Sequence, residues 1–272
     1  NLHQISVRIE RWPAYAKFLE HEIARAPAHK RPDLMQRLGE LLLERINDPA
    51  AARRQFEAIL AVQPNNDPAR RRLEGILLDA GDLDALSDRF AERGGAAAFV
   101  AMLAGREARE TDVAKQVRLN LAMALACEQD LRDPNRALTH LQKAFDLDHR
   151  LTDVGQRLLA TYEARGDDEH AVAILGVLVS NLEGARARLD ATRRMHAPLL
   201  RLGRAHEAFE IAAQAVRESL GHQDVTPLLA DLRVSAGAAN AWQAYADLLE
   251  EVIALTDSPQ AQVEQLVDLA DC

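Results

Sequence analysis

The chain repeats itself, and that constrains its fold more than any other feature. At an offset of 85 residues Leu34 meets Leu119, Asp48-Pro49 meets Asp133-Pro134, Ala52 meets Ala137, Arg72-Leu73 meets Arg157-Leu158, and Gly81-Asp82 meets Gly166-Asp167. Conservative matches fill the intervals: Ile46 with Leu131, Phe56 with Leu141, Leu77 with Tyr162, Phe90 with Leu175. The register holds without a gap from Leu34 to Phe90 of the first copy. A second echo links the two ends. Trp12, Tyr15, Ala16, Leu19, Glu20 and Ile23 return as Trp242, Tyr245, Ala246, Leu249, Glu250 and Ile253.

Within each copy the spacing is helical. Ala52, Phe56, Ile59 and Leu60 recur at three- and four-residue steps, which puts them on one face of a helix. Asp48 is placed to cap that helix, with Pro49 at a first position that needs no N–H. Asp133-Pro134, Asp67-Pro68, Thr226-Pro227 and Ser258-Pro259 predict the same start. Gly81-Asp82 and Gly166-Asp167 read as a helix stop followed at once by a new cap. No stretch shows the sustained two-residue alternation of a strand, so no sheet is expected.

These residues resemble the tetratricopeptide repeat, a unit of two antiparallel helices with small residues where they cross. Leu38-Gly39 and Leu42 match the family's first helix. Ala52, Phe56, Ile59 and Pro64 match its second, after one inserted residue at the turn. Later units are carried by Leu73, Leu77, Gly81, Leu86 and Phe90; by Met123-Ala124, Cys127, Ala137, Leu141, Ala144 and Phe145; and by Leu158, Tyr162, Gly166, Ala171, Leu175 and Leu178. A fifth holds Met195, Leu199, Gly203, Ala208, Ala212 and Ala215, and a looser sixth Leu229, Gly237, Trp242, Tyr245 and Leu249. The resemblance implies an all-α fold, a right-handed α-solenoid of about six to seven stacked antiparallel helix pairs. It also implies one continuous array over residues 1–272. Two features break the pattern: an irregular insert at about residues 94–111, one helix long with Phe99, Val100, Leu103 and Ala104 on a face, and Pro198, which should kink or interrupt its helix.

Composition agrees. The 272 residues are 48% hydrophobic but only 4% aromatic, so small aliphatics, Ala and Leu above all, must fill the core. Such Ala- and Arg-rich composition fits a GC-rich bacterial genome. The net charge of −9 opposes general nucleic-acid binding. Cys127 reads as a buried structural thiol, and Cys272 is the other cysteine. No apolar run is long enough for a membrane helix. A cytoplasmic location is the expectation. The start at Asn1 and the unfinished helix at Val263–Cys272 read as a piece of a longer protein.

Catalytic signatures are missing. His21-Glu22 and His206-Glu207 resemble the start of a zinc-protease helix, but Arg25 and Glu210 stand where the second histidine belongs. No metal and no cofactor is expected, and the chain is read as non-enzymatic. One constellation stands out. Two residues before the small position of each first helix lie Arg37, Arg72, Ala122, Arg157, Arg194 and Leu228, with Arg71 and Arg193 beside two of them. The resemblance implies that first helices line a groove. Arg37, Arg71, Arg72, Arg157, Arg193 and Arg194 then form a ladder suited to the carboxylates of an acidic or C-terminal peptide. The opposing reading pairs these arginines with neighbours such as Asp33, Glu40, Asp153 or Asp190. The expected function is a protein–protein interaction scaffold. The alternative is a regulatory helical-repeat domain of a larger enzyme or signalling protein.

Overall fold

The computed structural model describes residues 11–219, 226–255, 262–263 and 266–267. Among the described residues there are 14 α-helices and no strand. Ser258-Pro259 and Cys272 lie outside them, as does most of Val263–Cys272. The chain divides into two compact units, Asn1–Met102 and Leu103–Cys272.

In the first unit α1 (Trp12–Arg25) packs against α2 (Arg31–Leu41). A π-turn, Leu42–Ile46, extends α2. Two further neighbours in sequence pack on one another, α2 on α3 (Pro49–Val62) and α4 (Asp67–Ala80) on α5 (Leu83–Ala91). Next comes α6 (Ala96–Glu107), which carries the division between units. The insert is therefore a single helix. Phe99, Val100 and Leu103 are buried as a face, but Ala104 is exposed, one step around from it.

The second unit consists of helix pairs: α7 (Val113–Gln129) with α8 (Pro134–Leu147), α9 (Thr152–Arg165) with α10 (Asp168–Asn181), α11 (Ala185–Arg201) with α12 (Ala205–Ser219), and α13 (Thr226–Ala239) with α14 (Trp242–Leu255). Its core is a seam between pairs. One cluster of buried side chains runs from Ala124 to Ala208, and a second from Phe209 to Val252. No pair buries both of its faces alone, which is the defining property of a stacked repeat.

The repeat seen in the letters returns in the backbone. Asp48 N–H donates to Leu42 O at 2.8 Å, and Asp133 N–H donates to Cys127 O at 2.8 Å. Asp82 N–H donates to Leu77 O at 2.9 Å, and Asp167 N–H donates to Tyr162 O at 2.9 Å. Gly81 and Gly166, at φ 70 and 68, end their helices in the left-handed region that favours glycine. The four aspartates cap the following helices. Their Oδ1 atoms accept from Ala51, Ala85, Arg136 and His170 N–H. The inserted residue before Asp48 is absorbed by the π-turn, and Leu131 N–H reaching back to Ala126 O at 3.1 Å is its counterpart.

Three local expectations are corrected. Asn66, not Asp67, caps α4: its Oδ1 accepts Ala69 N–H at 3.0 Å, which makes Asp67 the first helical residue and Pro68 the second. Either of those positions tolerates a missing donor. Thr226 is likewise already the first residue of α13. Pro198 does not interrupt α11, because it lies in the last turn; its own carbonyl accepts Leu202 N–H at 3.0 Å before Gly203 turns the chain at φ 73.

Both Asp-Pro turns are entered through a residue with positive φ, Asn47 at 59 and Arg132 at 52. Asparagine tolerates that region, whereas arginine pays for the crowding of its Cβ. Arg132 is exposed, so Arg132→Gly should raise the stability of the second unit by about 0.5–1 kcal/mol. A urea midpoint that falls instead would show that the arginine makes a contact worth more than the strain.

Candidate functional site

The first helices of the pairs are tied to one another by arginine–carboxylate pairs. In the first unit Arg72 Nη2 lies 2.7 Å from Glu44 Oε1. In the second, Arg157 Nη2 lies 2.9 Å from Glu128 Oε2, Arg194 Nη2 lies 2.7 Å from Glu163 Oε2, and Arg193 Nε lies 3.1 Å from Asp231 Oδ2. Three of the four arginines of the ladder register, 72, 157 and 194, reach back 28, 29 and 31 residues, roughly one repeat. Each finds a glutamate near the C-terminal end of the preceding first helix. These are not the carboxylates expected from the sequence: Asp33, Glu40, Asp153 and Asp190 are replaced by Glu44, Glu128, Glu163 and Asp231. Arg37 and Arg71 are exposed and make no ion pair among the described residues.

In the second unit these contacts join α7 to α9, α9 to α11, and α11 to α13, so four first helices form one wall. The pairs are half exposed, with side-chain accessibilities such as 53% and 50% for Arg157 and Glu128. Pairs of that kind contribute about 0–1 kcal/mol each, since water and salt screen them. Leu125 sits three residues before Glu128 and is 50% exposed; Val234 sits three residues after Asp231 and is 58% exposed. Ala160 and Ala197, three residues beyond Arg157 and Arg194, are exposed too. Residues three apart share a helix face, so the wall alternates salt bridges with small apolar side chains.

Helix α11 carries more positive charge than any other first helix of this unit. It carries Arg186, Arg188, Arg193, Arg194 and Arg201 against the single acid Asp190. Besides the pairs above, Arg201 holds Asp168 in a forked contact of 2.6 and 2.7 Å, and this hydrogen bonding keeps the Asp168 carboxyl below the usual carboxylate range. Arg53 does the same to Asp82 in the first unit, and His170 to Asp167 in the second. The charge of α11 is visible in its letters, and the spacing of the repeat does not reveal it.

The other singled-out residues are structural. The Trp242 ring lies against Gly237, where an added Cβ would come within 3.2 Å, and meets Tyr245 edge-on with centroids 6.2 Å apart. Trp12 carries the Arg45 guanidinium 5.3 Å from its ring centre. Cys127 is fully buried, and burial pushes its thiol up. Buried Asn120 accepts through Oδ1 from His140 Nδ1 at 3.3 Å, and burial pushes that histidine down. Among the described residues no three His, Cys, Asp or Glu side chains come together as a metal site, and no helix is long and apolar enough to cross a membrane.

The class that this fold defines is the helical-repeat protein built of paired helices. Among solved structures the chain is similar to a thermophilic TPR protein of Thermus thermophilus (20% identity, 77% of this chain and 99% of that one, TM-score 0.26). It is also similar to a tetratricopeptide repeat protein of Parabacteroides merdae (12%, 98% and 95%, TM-score 0.30) and to a TPR repeats protein of Bacteroides fragilis (12%, 88% and 98%, TM-score 0.28). No protein-family model and no curated protein matches the chain.

Proposed function

We propose that the chain is a non-catalytic, cytoplasmic interaction scaffold whose first-helix walls hold an acidic, leucine-bearing segment of a partner protein. Arg157, Arg193 and Arg194 act in the second unit, and Arg37, Arg71 and Arg72 in the first. The carrying observation is the row of half-exposed arginine–glutamate pairs between adjacent first helices. Each pair is weak, so an incoming carboxylate exchanges with the resident one at little cost. Forked guanidinium donors are retained in the exchange, and each fork sets the register of the bound chain. Leu125 and Val234 offer apolar contact between the charged rungs.

The test is a labelled Glu/Leu-rich peptide titrated against the protein, beside a Gln/Leu counterpart. The acidic peptide should bind at least about tenfold more tightly, and the difference should shrink between 50 and 300 mM salt, taken as about the span over which the Debye length falls below 10 Å. The triple variant Arg72→Ala, Arg157→Ala, Arg194→Ala, which breaks the ladder in both units, should remove the preference. Equal binding of both peptides, or a preference that survives the triple variant, overturns the reading.

A further inference from the structure

The first unit holds a cavity that the scaffold reading does not use. Its volume is about 410 Å³, within the range of small-molecule sites. It opens between the end of α3, the turn after it, the first turn of α4 and the end of α5. Leu60, Ala61 and Pro64 supply an apolar side. The rest of the lining is polar: three guanidinium groups, Arg70 from α4 and Arg89 and Arg93 from α5 and its exit, together with Asn65 and the carboxylates of Glu57 and Glu92.

The charges around the cavity are not equally available. Arg93 is held 2.7 Å from Glu74, and Arg70 is paired with Asp67. On the acidic side Glu57 is held by Arg53 at 2.8 Å. Arg89 has no carboxylate partner among the described residues, although it is half-buried. A half-buried guanidinium with open donors beside an apolar surface is a place for one planar anion, whose two oxygens match the two-pronged donor. A dianion fits less well, because Glu57 and Glu92 also line the cavity and would repel the second charge.

We infer that this cavity binds a small monocarboxylate with a compact apolar body, of the size and kind of an N-acyl amino acid, with the carboxylate on Arg89 and the body against Leu60, Ala61 and Pro64. This site is separate from the arginine–glutamate walls, so its fate and theirs are independent.

N-acetyl-leucine is the probe, followed by amide chemical shifts in the whole protein. It should give saturable shifts at residues 57–65 and 89–93, with a dissociation constant of about 1 mM or tighter. N-acetyl-leucinamide, which keeps the shape and loses the charge, should bind at least about tenfold more weakly, as should N-acetyl-leucine to Arg89→Gln. Arg89 makes no ion pair, so that variant should retain the wild-type melting temperature, separating lost binding from lost fold. Inorganic phosphate should leave these amides unmoved. No saturation by about 10 mM, equal binding of the amide, an unaffected Arg89→Gln, or phosphate occupying the same residues would each overturn the assignment.

Discussion

Arg93→Leu should destabilise the first unit by about 3 kcal/mol, and Glu74→Leu in the same chain should restore most of it. Glu74 lies on α4 with only 5% of its surface exposed, at the position that Gly39 takes on α2. Its Oε1 has no hydrogen bond; what it has is the Arg93 guanidinium at 2.7 Å. That guanidinium is in turn seated 4.1 Å above the ring of buried Phe90. The tight turn after α5 creates the arrangement: Gly95 N–H bonds back to Phe90 O at 2.8 Å, with Gly94 at φ 65, and so folds Arg93 over the helix end. Removing the arginine leaves a buried carboxylate without compensation, a defect that costs about 3–5 kcal/mol elsewhere. The lower end applies because the Arg93 side chain is 32% exposed and water reaches it. Hydrogen exchange of α4 amides in the two single variants and the double variant reads the effect within this unit. A single-variant loss below about 1 kcal/mol, or a double variant no better than Arg93→Leu, would reduce the pair to an ordinary surface contact.

What was legible in the sequence was whatever is local. Asp48-Pro49 and Asp133-Pro134 specify a cap and a first turn by their own chemistry, and the two turns agree to a tenth of an ångström in their closing hydrogen bonds. The same holds for Gly81-Asp82 and Gly166-Asp167. Even the helical nature of the insert followed from four residues placed on a face, Phe99, Val100, Leu103 and Ala104, of which the fold buries the first three. What was hidden was whatever depends on reach between helices. Spacing places the arginines on first helices, but a long guanidinium chooses among several carboxylates within a few ångströms, and spacing alone does not say that Glu128 wins over Asp153. Nothing in the letters around Glu74 marks it as buried, because its burial is decided by Arg93, Phe90 and a turn nineteen residues away. Gly155 was missed for a related reason. Register arguments put the small residue of that helix four positions later, at Leu159, whereas the closest approach is set by the direction of the Phe145 ring.

Gly155→Val should cost the second unit about 3 kcal/mol, the upper end of what overpacking a well-filled core does. A Cβ on Gly155 would stand 2.8 Å from Phe145 Cε2 and 2.9 Å from Leu178 Cδ2. Those atoms belong to α8 and α10, on two different helices, and both side chains are buried at 2% exposure or less. A ring pushed away from one neighbour meets the next, so α9 itself must move and open the seam on both sides. Gly176, in the middle of α10, is the control: an added Cβ there meets nothing within 4 Å. Gly176→Ala should therefore gain about 0.5–1 kcal/mol from helix propensity alone, while Gly155→Ala should lose about 1–2 kcal/mol after the same gain is subtracted. Phe145→Leu, by shortening the opposing side chain, should recover part of the loss in Gly155→Val but destabilise the wild type. The comparison needs only urea midpoints for the five variants. If alanine at 155 stabilises as much as alanine at 176, the two helices do not meet at this glycine, and the seam between repeats is looser than the buried rings require.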